Sequence, residues 1–222
     1  NDKAAVYLDV SGGALHRRGY RTETGDAPLR ETLAAAILRL SGWDRKSLLV
    51  DPMCGSGTIA IEAAMWSANI APGLTRERFG FERWANFDEE KAEALRILRG
   101  ELRRAASGTS ARIVASDIDP EVLGAAKANA RAAGVRLTFK QRDVLNLQGD
   151  GQKGLVVTNP PYGVRLEKAP NFCQRVGGVF SRMHGWRVCI LAGSPDYLRD
   201  ISAKPKYAVP LTNGDLKCEF LT

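Results

Sequence analysis

Short apolar runs alternate with longer segments of helical period along this chain. Leu48-Leu49-Val50, Ile113-Val114-Ala115, Val135 to Lys140, Leu155-Val156-Val157 and Trp186 to Ala192 read as buried strands. Between them the spacing predicts helices over Ala27 to Leu40, Thr58 to about Ser67, Asp88 to Arg104, and from Asp119-Pro120 onward. Leu33, Ile37 and Leu40 fall on one face of the first, which therefore packs. Shorter helices are expected near Cys173 to Met183 and over Pro195 to Ile201. Tyr207 to Leu211 and Leu216 to Leu221 flank Asn213-Gly214 and predict a closing hairpin with a type I′ turn. A further hairpin is expected at the start, Val6 to Val10 against Ala14 to His16 around Ser11-Gly12-Gly13. Strands alternating with helices predict an α/β fold with helices on both faces of the sheet.

Composition narrows this only a little. At 222 residues, 44% hydrophobic and 26% charged, the chain suits a single α/β domain with a full core. No apolar run approaches the roughly 20 residues that span a bilayer, and no signal-peptide pattern opens the sequence. Cys54, Cys173, Cys189 and Cys218 are scattered without metal-ligand spacing, and His16 and His184 are the only histidines. Reduced thiols, a cytoplasmic location and no metal are expected. The net charge of +7 favours a polyanionic partner, nucleic acid ahead of a membrane surface.

Two runs carry chemistry. Asp51-Pro52-Met53-Cys54-Gly55-Ser56-Gly57-Thr58 joins a strand to a helix through a glycine-containing turn. Gly55 and Gly57 let the backbone approach a ligand, and the helix beginning near Thr58 offers free N–H groups and a positive dipole end. The third glycine of a dinucleotide fingerprint is missing, and so is the Gly-Lys-Ser/Thr of a Walker A loop, which disfavours NAD and nucleoside triphosphates. The second run, Thr158-Asn159-Pro160-Pro161-Tyr162-Gly163, follows a strand. The Asn159 side-chain oxygen and the rigid Pro160 carbonyl can accept the two hydrogens of an amino group while a planar ring lies on Tyr162.

Together these runs resemble the signature of S-adenosylmethionine-dependent methyltransferases that modify exocyclic amino groups. Ala71-Pro72-Gly73-Leu74 and Phe79-Gly80-Phe81-Glu82-Arg83-Trp84 narrow the resemblance to THUMP-associated ribosomal RNA guanine-N2 methyltransferases, large-subunit enzymes in particular, from about Tyr7 to Leu221. The resemblance implies a Rossmann-like sheet of seven strands ending in an antiparallel hairpin. It implies S-adenosylmethionine held by Asp51, Pro52, Cys54, Gly55, Ser56, Gly57 and Thr58, with Asn159 also lining the site. Asp117 at the second strand end would accept the ribose hydroxyls, by the logic of dinucleotide folds, with Ile118 beside it. Asp143 would take the adenine amino group, and Pro28 and Leu29 would cover the methionine end. Asn159, Pro160, Pro161 and Tyr162 would form the catalytic clamp. Asp119 remains as the N-cap before Pro120.

Arg17-Arg18-Gly19-Tyr20-Arg21 adds cations and an aromatic ring. Arg18, Tyr20 and Arg21 are expected to contact RNA, with Arg165 projecting toward the substrate. The connector before the second strand, with Arg76, Arg78 and Arg83 among Phe79, Phe81 and Trp84, either lines an RNA path or plugs the core. Residues 1–26 are expected to form a hairpin and basic lead-in, and 27–222 the catalytic domain. The family carries a THUMP domain upstream that these residues cannot hold, so a fragment of a longer protein is expected. Transfer to tRNA guanine N2 or DNA adenine N6 remains open, as does an inactive RNA-binding module on the same fold.

Overall fold

The structure is a computed structural model describing residues 4–21, 29–108, 111–149, 151–161, 171–193, 201 and 204–222. Seven strands form one sheet: β1 (Leu49–Asp51), β2 (Ile113–Asp117), β3 (Thr138–Gln141), β4 (Leu155–Thr158), β5 (Arg187–Ala192), β6 (Ala208–Asn213) and β7 (Leu216–Leu221). Their spatial order is β3-β2-β1-β4-β5-β7-β6. The first five run parallel, whereas β7 lies antiparallel to both β5 and β6. Among the described residues five α-helices accompany them: α1 (Glu31–Leu40), α2 (Thr58–Ser67), α3 (Glu89–Ala105), α4 (Pro120–Ala132) and α5 (Phe172–Ser181).

The central strands are apolar on both sides because both faces are covered. Leu49, Ile113, Leu155, Val157, Cys189 and Leu191 point into a core with α1, α2 and α4. Their neighbours Val50, Val114, Val156 and Ile190 point the other way, into a core with α5. The strand period of two thus assigns alternate residues to two separate cores. α2 is apolar nearly all round, and eight of its ten residues are buried, Thr58 to Met65. α3 is the opposite, with none buried.

Two local expectations change. Residues 4–21 contain no strand; Val6 and Tyr7 are 92% and 89% exposed. A lone two-stranded ribbon is marginal in water, and here the Arg76 guanidinium instead holds the loop by donating to the carbonyls of Ser11, Gly13 and Ala14. Gly12 and Gly80 are in such close backbone contact that a Cβ on Gly12 would lie 2.5 Å from the Gly80 Cα. The lead-in is therefore part of the domain: Tyr20 is 1% exposed, within the main core. The closing hairpin forms, but Asn213 pairs with Leu216, so Gly214 and Asp215 make the turn. Only Gly214 has positive φ, +64°, which fits a type II′ rather than a type I′ turn. The expected helix Pro195 to Ile201 lies almost wholly outside the described residues.

Candidate active site at the strand ends

The sheet order reverses between β1 and β4, and open α/β sheets bind ligands at the carboxyl ends of strands flanking such a switch. Asp51, Asp117 and Thr158 are the last residues of β1, β2 and β4. The two runs picked from the sequence, more than 100 residues apart, meet here: the Thr158 hydroxyl donates to Asp51 Oδ1 at 3.0 Å.

The glycine turn is fixed by its neighbours. Cys54 N–H donates to the Ser116 carbonyl at 2.9 Å, and Gly57 N–H to the Cys54 carbonyl at 2.8 Å. Gly55 N–H donates to Asp117 Oδ2 at 3.0 Å, and Asn129 of α4 donates to the Ser56 carbonyl at 3.1 Å. Gly55 and Gly57 sit at φ +52° and +87°, where a side chain is strained. A Cβ on Gly57 would press 3.2 Å from the Ala126 methyl, so this glycine serves packing as well. A Cβ on Gly55 would meet nothing within 4 Å, so open space borders the turn there. α2 begins at Gly57 with no side-chain cap, leaving its first N–H groups for a ligand.

Charge is unusual here. Asp51 is 1% exposed, and burial holds its carboxyl at about 7 against an ordinary 3.8; the Thr158 and Met53 hydrogen bonds oppose the rise, and Asp117 adds to it. Burial, with the Asp51 and Asp117 carboxylates nearby, pushes the Cys54 thiol well above its usual range, so it is no nucleophile. Asp117 is half-buried at the rim, and its Oδ1 also accepts Asp119 N–H at 3.2 Å. Ile118 beside it is 63% exposed, an apolar side chain presented to solvent at a strand end. Asp119 caps α4 by accepting from Glu121 and Val122 N–H. Asp143 accepts Leu145 N–H at 2.9 Å in the turn after β3. Pro52 is buried under the loop.

Beyond Thr158 stands the most telling atom of the site. Asn159 Oδ1 is buried and has no hydrogen-bond partner, and Pro160 behind it is buried as well. Buried acceptors are nearly always paired, so one left unpaired at the end of β4, next to the Thr158 that bonds Asp51, marks a place for an external donor. Pro161 is half-buried; Tyr162 and Arg165 lie outside the described residues, as does Pro28. Leu29 is buried in the core at 6% exposed.

Arg18, Tyr20 and Arg21, expected to face RNA, are turned inward. Arg18 Nε lies 3.4 Å from Glu62 Oε1, and the Tyr20 hydroxyl donates to the same oxygen at 3.2 Å. Arg21 Nε lies 3.2 Å from Glu31, while its Nη2 donates to the Leu29 carbonyl and the Thr58 hydroxyl, both at 2.9 Å. Burial raises both the Glu62 carboxyl and the Tyr20 phenol, with Arg18 opposing the shift of Glu62. These residues clamp the lead-in to α1 and to the start of α2. A glutamate inside the apolar run Ile59 to Met65 is the signal that could have revealed Glu62 as their partner. Thr158, the other residue without an expected role, is separated from Asp51 by 107 positions, and nothing local marks the pair.

Switch-point topology, a glycine turn opening an uncapped helix, and an open amide at the next strand end define an α/β domain of the methyltransferase class. The chain belongs to the UPF0020 family, the RMKL-like methyltransferase domain, whose model matches residues 18–221. It is 42% identical to the ribosomal RNA large subunit methyltransferase K/L of Aeromonas salmonicida, across 98% of this chain and 33% of that protein. The crystal structure of SMU.472 complexed with SAH superposes with a TM-score of 0.86 at 36% identity, over 96% of this chain and 56% of that one. A protein from Listeria monocytogenes, named as a predicted N6-adenine-specific DNA methylase, gives 0.83 at 37% identity, over 96% and 56%. The chain thus spans about a third of the curated relative and just over half of these solved ones. Among the described residues no helix is long and apolar enough to cross a membrane, and no cluster of His, Cys, Asp and Glu could hold a metal ion.

Proposed function

We propose that this domain transfers a methyl group from S-adenosylmethionine to the exocyclic N2 amino group of a guanine in large-subunit ribosomal RNA. The observation that carries the reading is the buried, unpartnered Asn159 Oδ1 at the end of β4. The residues present suit the cofactor: open space at Gly55, free N–H groups at the start of α2, the Asp117 carboxylate at the rim and the exposed Ile118 for an adenine face. Asp143 and the Pro28-Leu29 segment would complete its enclosure. When bound, the cofactor supplies an electrophilic methyl group.

An amino group on an aromatic ring is a poor nucleophile because its lone pair is delocalised. Asn159 Oδ1 and the Pro160 carbonyl accept its two hydrogens, draw the nitrogen toward a tetrahedral shape and aim the lone pair; Tyr162 stacks the ring. This is orientation and electrostatic preorganisation, without a strong base, since the methylated nitrogen is acidic enough to lose its proton to water. The Thr158–Asp51 hydrogen bond holds the clamp in register with the cofactor turn. The base must be unstacked or lie in a loop to reach the pocket.

Support from relatives is the large-subunit assignment of the Aeromonas protein. The name of the Listeria protein keeps adenine N6 of DNA as the competing target. The test incubates the protein with S-adenosylmethionine and ribosomal RNA, tRNA or DNA, and reads the digested nucleosides by mass spectrometry. N2-methylguanosine from ribosomal RNA is the expected product; N6-methyladenine alone, or N2-methylguanosine only in tRNA, overturns the assignment. Calorimetry with S-adenosylmethionine, and NADH as the contrast, checks the cofactor independently.

A further inference from the structure

α3 carries a feature that the proposed active site does not use. Its 17 residues include no buried side chain, yet Phe87, Ala92, Leu95, Arg96, Arg99 and Arg103, with Glu82, line a cleft of about 250 Å³. Arg96, Arg99 and Arg103 recur at intervals of three and four, so they form one stripe along the helix. Glu82 is the only acid among the lining residues, and it is occupied: Oε1 accepts Phe79 N–H at 2.7 Å and Arg99 Nη2 at 3.3 Å.

The three guanidiniums differ in freedom. Arg99 is built in: it lies 5.6 Å from the Phe79 ring, which Arg76 also approaches, at 5.4 Å, and its Nε is buried without a hydrogen-bond partner. Arg103 is exposed, and its guanidinium makes no ion pair or hydrogen bond with any described residue. Arg96 bonds Glu93, but both are largely exposed, 75% and 52%, and a solvent-screened pair of this kind is too weak to hold Arg96 against a stronger anion. The cleft therefore presents one rigid and two available guanidiniums above an apolar floor of Phe87 and Leu95. Planar forks of this kind match phosphate oxygens, and the floor suits the sugar or base attached to them.

We propose that this cleft is a subsite for a backbone phosphate of the RNA substrate, with Arg96 and Arg103 as its contacts and Arg99 as the fixed wall. It rests on the reading of the domain as an RNA methyltransferase. It also gives the arginines of α3 a task that the inward-turned Arg18 and Arg21 do not perform.

The test compares the wild type with Arg96→Glu/Arg103→Glu, and with Lys204→Glu/Lys206→Glu as a control of equal net charge at exposed positions before β6. Affinity for protein-free large-subunit ribosomal RNA is measured across a salt series; S-adenosylmethionine affinity and thermal unfolding report the fold. Loss of about tenfold or more in RNA affinity at ~0.1 M salt, with a slope of log K against log salt shallower by about 1–2, is the expected result for the double variant. Cofactor affinity stays unchanged. Equal loss in Lys204→Glu/Lys206→Glu would mean a general charge effect, and unchanged RNA binding in the arginine double variant would remove the subsite; either overturns the proposal. Wild-type protein that neither binds nor methylates RNA would instead sink the functional reading, and the subsite with it.

Discussion

Replacing Asn159 by alanine is expected to move activity and stability in opposite directions. In the folded protein Asn159 Oδ1 is buried with no partner, and a buried unsatisfied acceptor costs about 1–3 kcal/mol. Removing the amide relieves that cost but forfeits the packing of the side chain, about 1 kcal/mol for roughly one methylene's worth of apolar contact. The net is a protein between equally stable and about 2 kcal/mol more stable. Turnover is expected to fall about a hundredfold to a thousandfold, as when one preorganised hydrogen-bonding group is taken from a reaction centre, or about 3–4 kcal/mol of transition-state stabilisation. Single-turnover methyl transfer at saturating S-adenosylmethionine reads the first quantity and urea denaturation of the free protein the second. Cofactor affinity by calorimetry should stay within a few fold. Near-normal turnover would refute the amino-group clamp. Lost turnover accompanied by clear destabilisation would show that Asn159 serves the fold rather than the substrate.

Asp51 makes the stability of the free protein depend on pH. Its folded pKa of about 7 exceeds the ordinary 3.8, so the folded state keeps a proton that the unfolded chain has released. Stability is therefore full below about pH 4 for this group and is lost as pH rises through about 7, by at most about 4 kcal/mol. Asp51→Asn, which still accepts from Thr158, should flatten that slope in urea denaturation series; an unchanged slope would assign it elsewhere. Asp117→Ala deletes the acceptor for Gly55 and Asp119 N–H, and should weaken S-adenosylmethionine binding about 10- to 100-fold in calorimetry. Gly57→Ala combines φ of +87° with a 3.2 Å contact to Ala126 and should cost about 1–3 kcal/mol in thermal or urea unfolding.

What the sequence determined by itself is local. Apolar runs, helical spacing, the Asp119-Pro120 cap and paired terminal strands are written in neighbouring residues, and they place every strand of the seven-stranded sheet to within a few positions. The glycine turn and the Asn-Pro-Pro run could be read the same way, because backbone freedom and side-chain chemistry act within a few residues of themselves. Tertiary structure decided the direction in which charged groups point. Arg18 and Tyr20 face inward only because Glu62, more than 40 positions away, waits on α2, and a basic stretch near the chain start looks the same whether solvent or a buried carboxylate receives it. The same holds for Thr158 and Asp51, which pair because β1 and β4 are neighbours in the sheet. An expected hairpin at residues 6–16 failed for a related reason: its Gly12 is held against Gly80, and a two-stranded ribbon has too little to bury to compete. Local preference is a matter of a few tenths of a kcal/mol to about one per residue, and a buried charge left unpaired costs several. Where the two conflict, the distant partner wins.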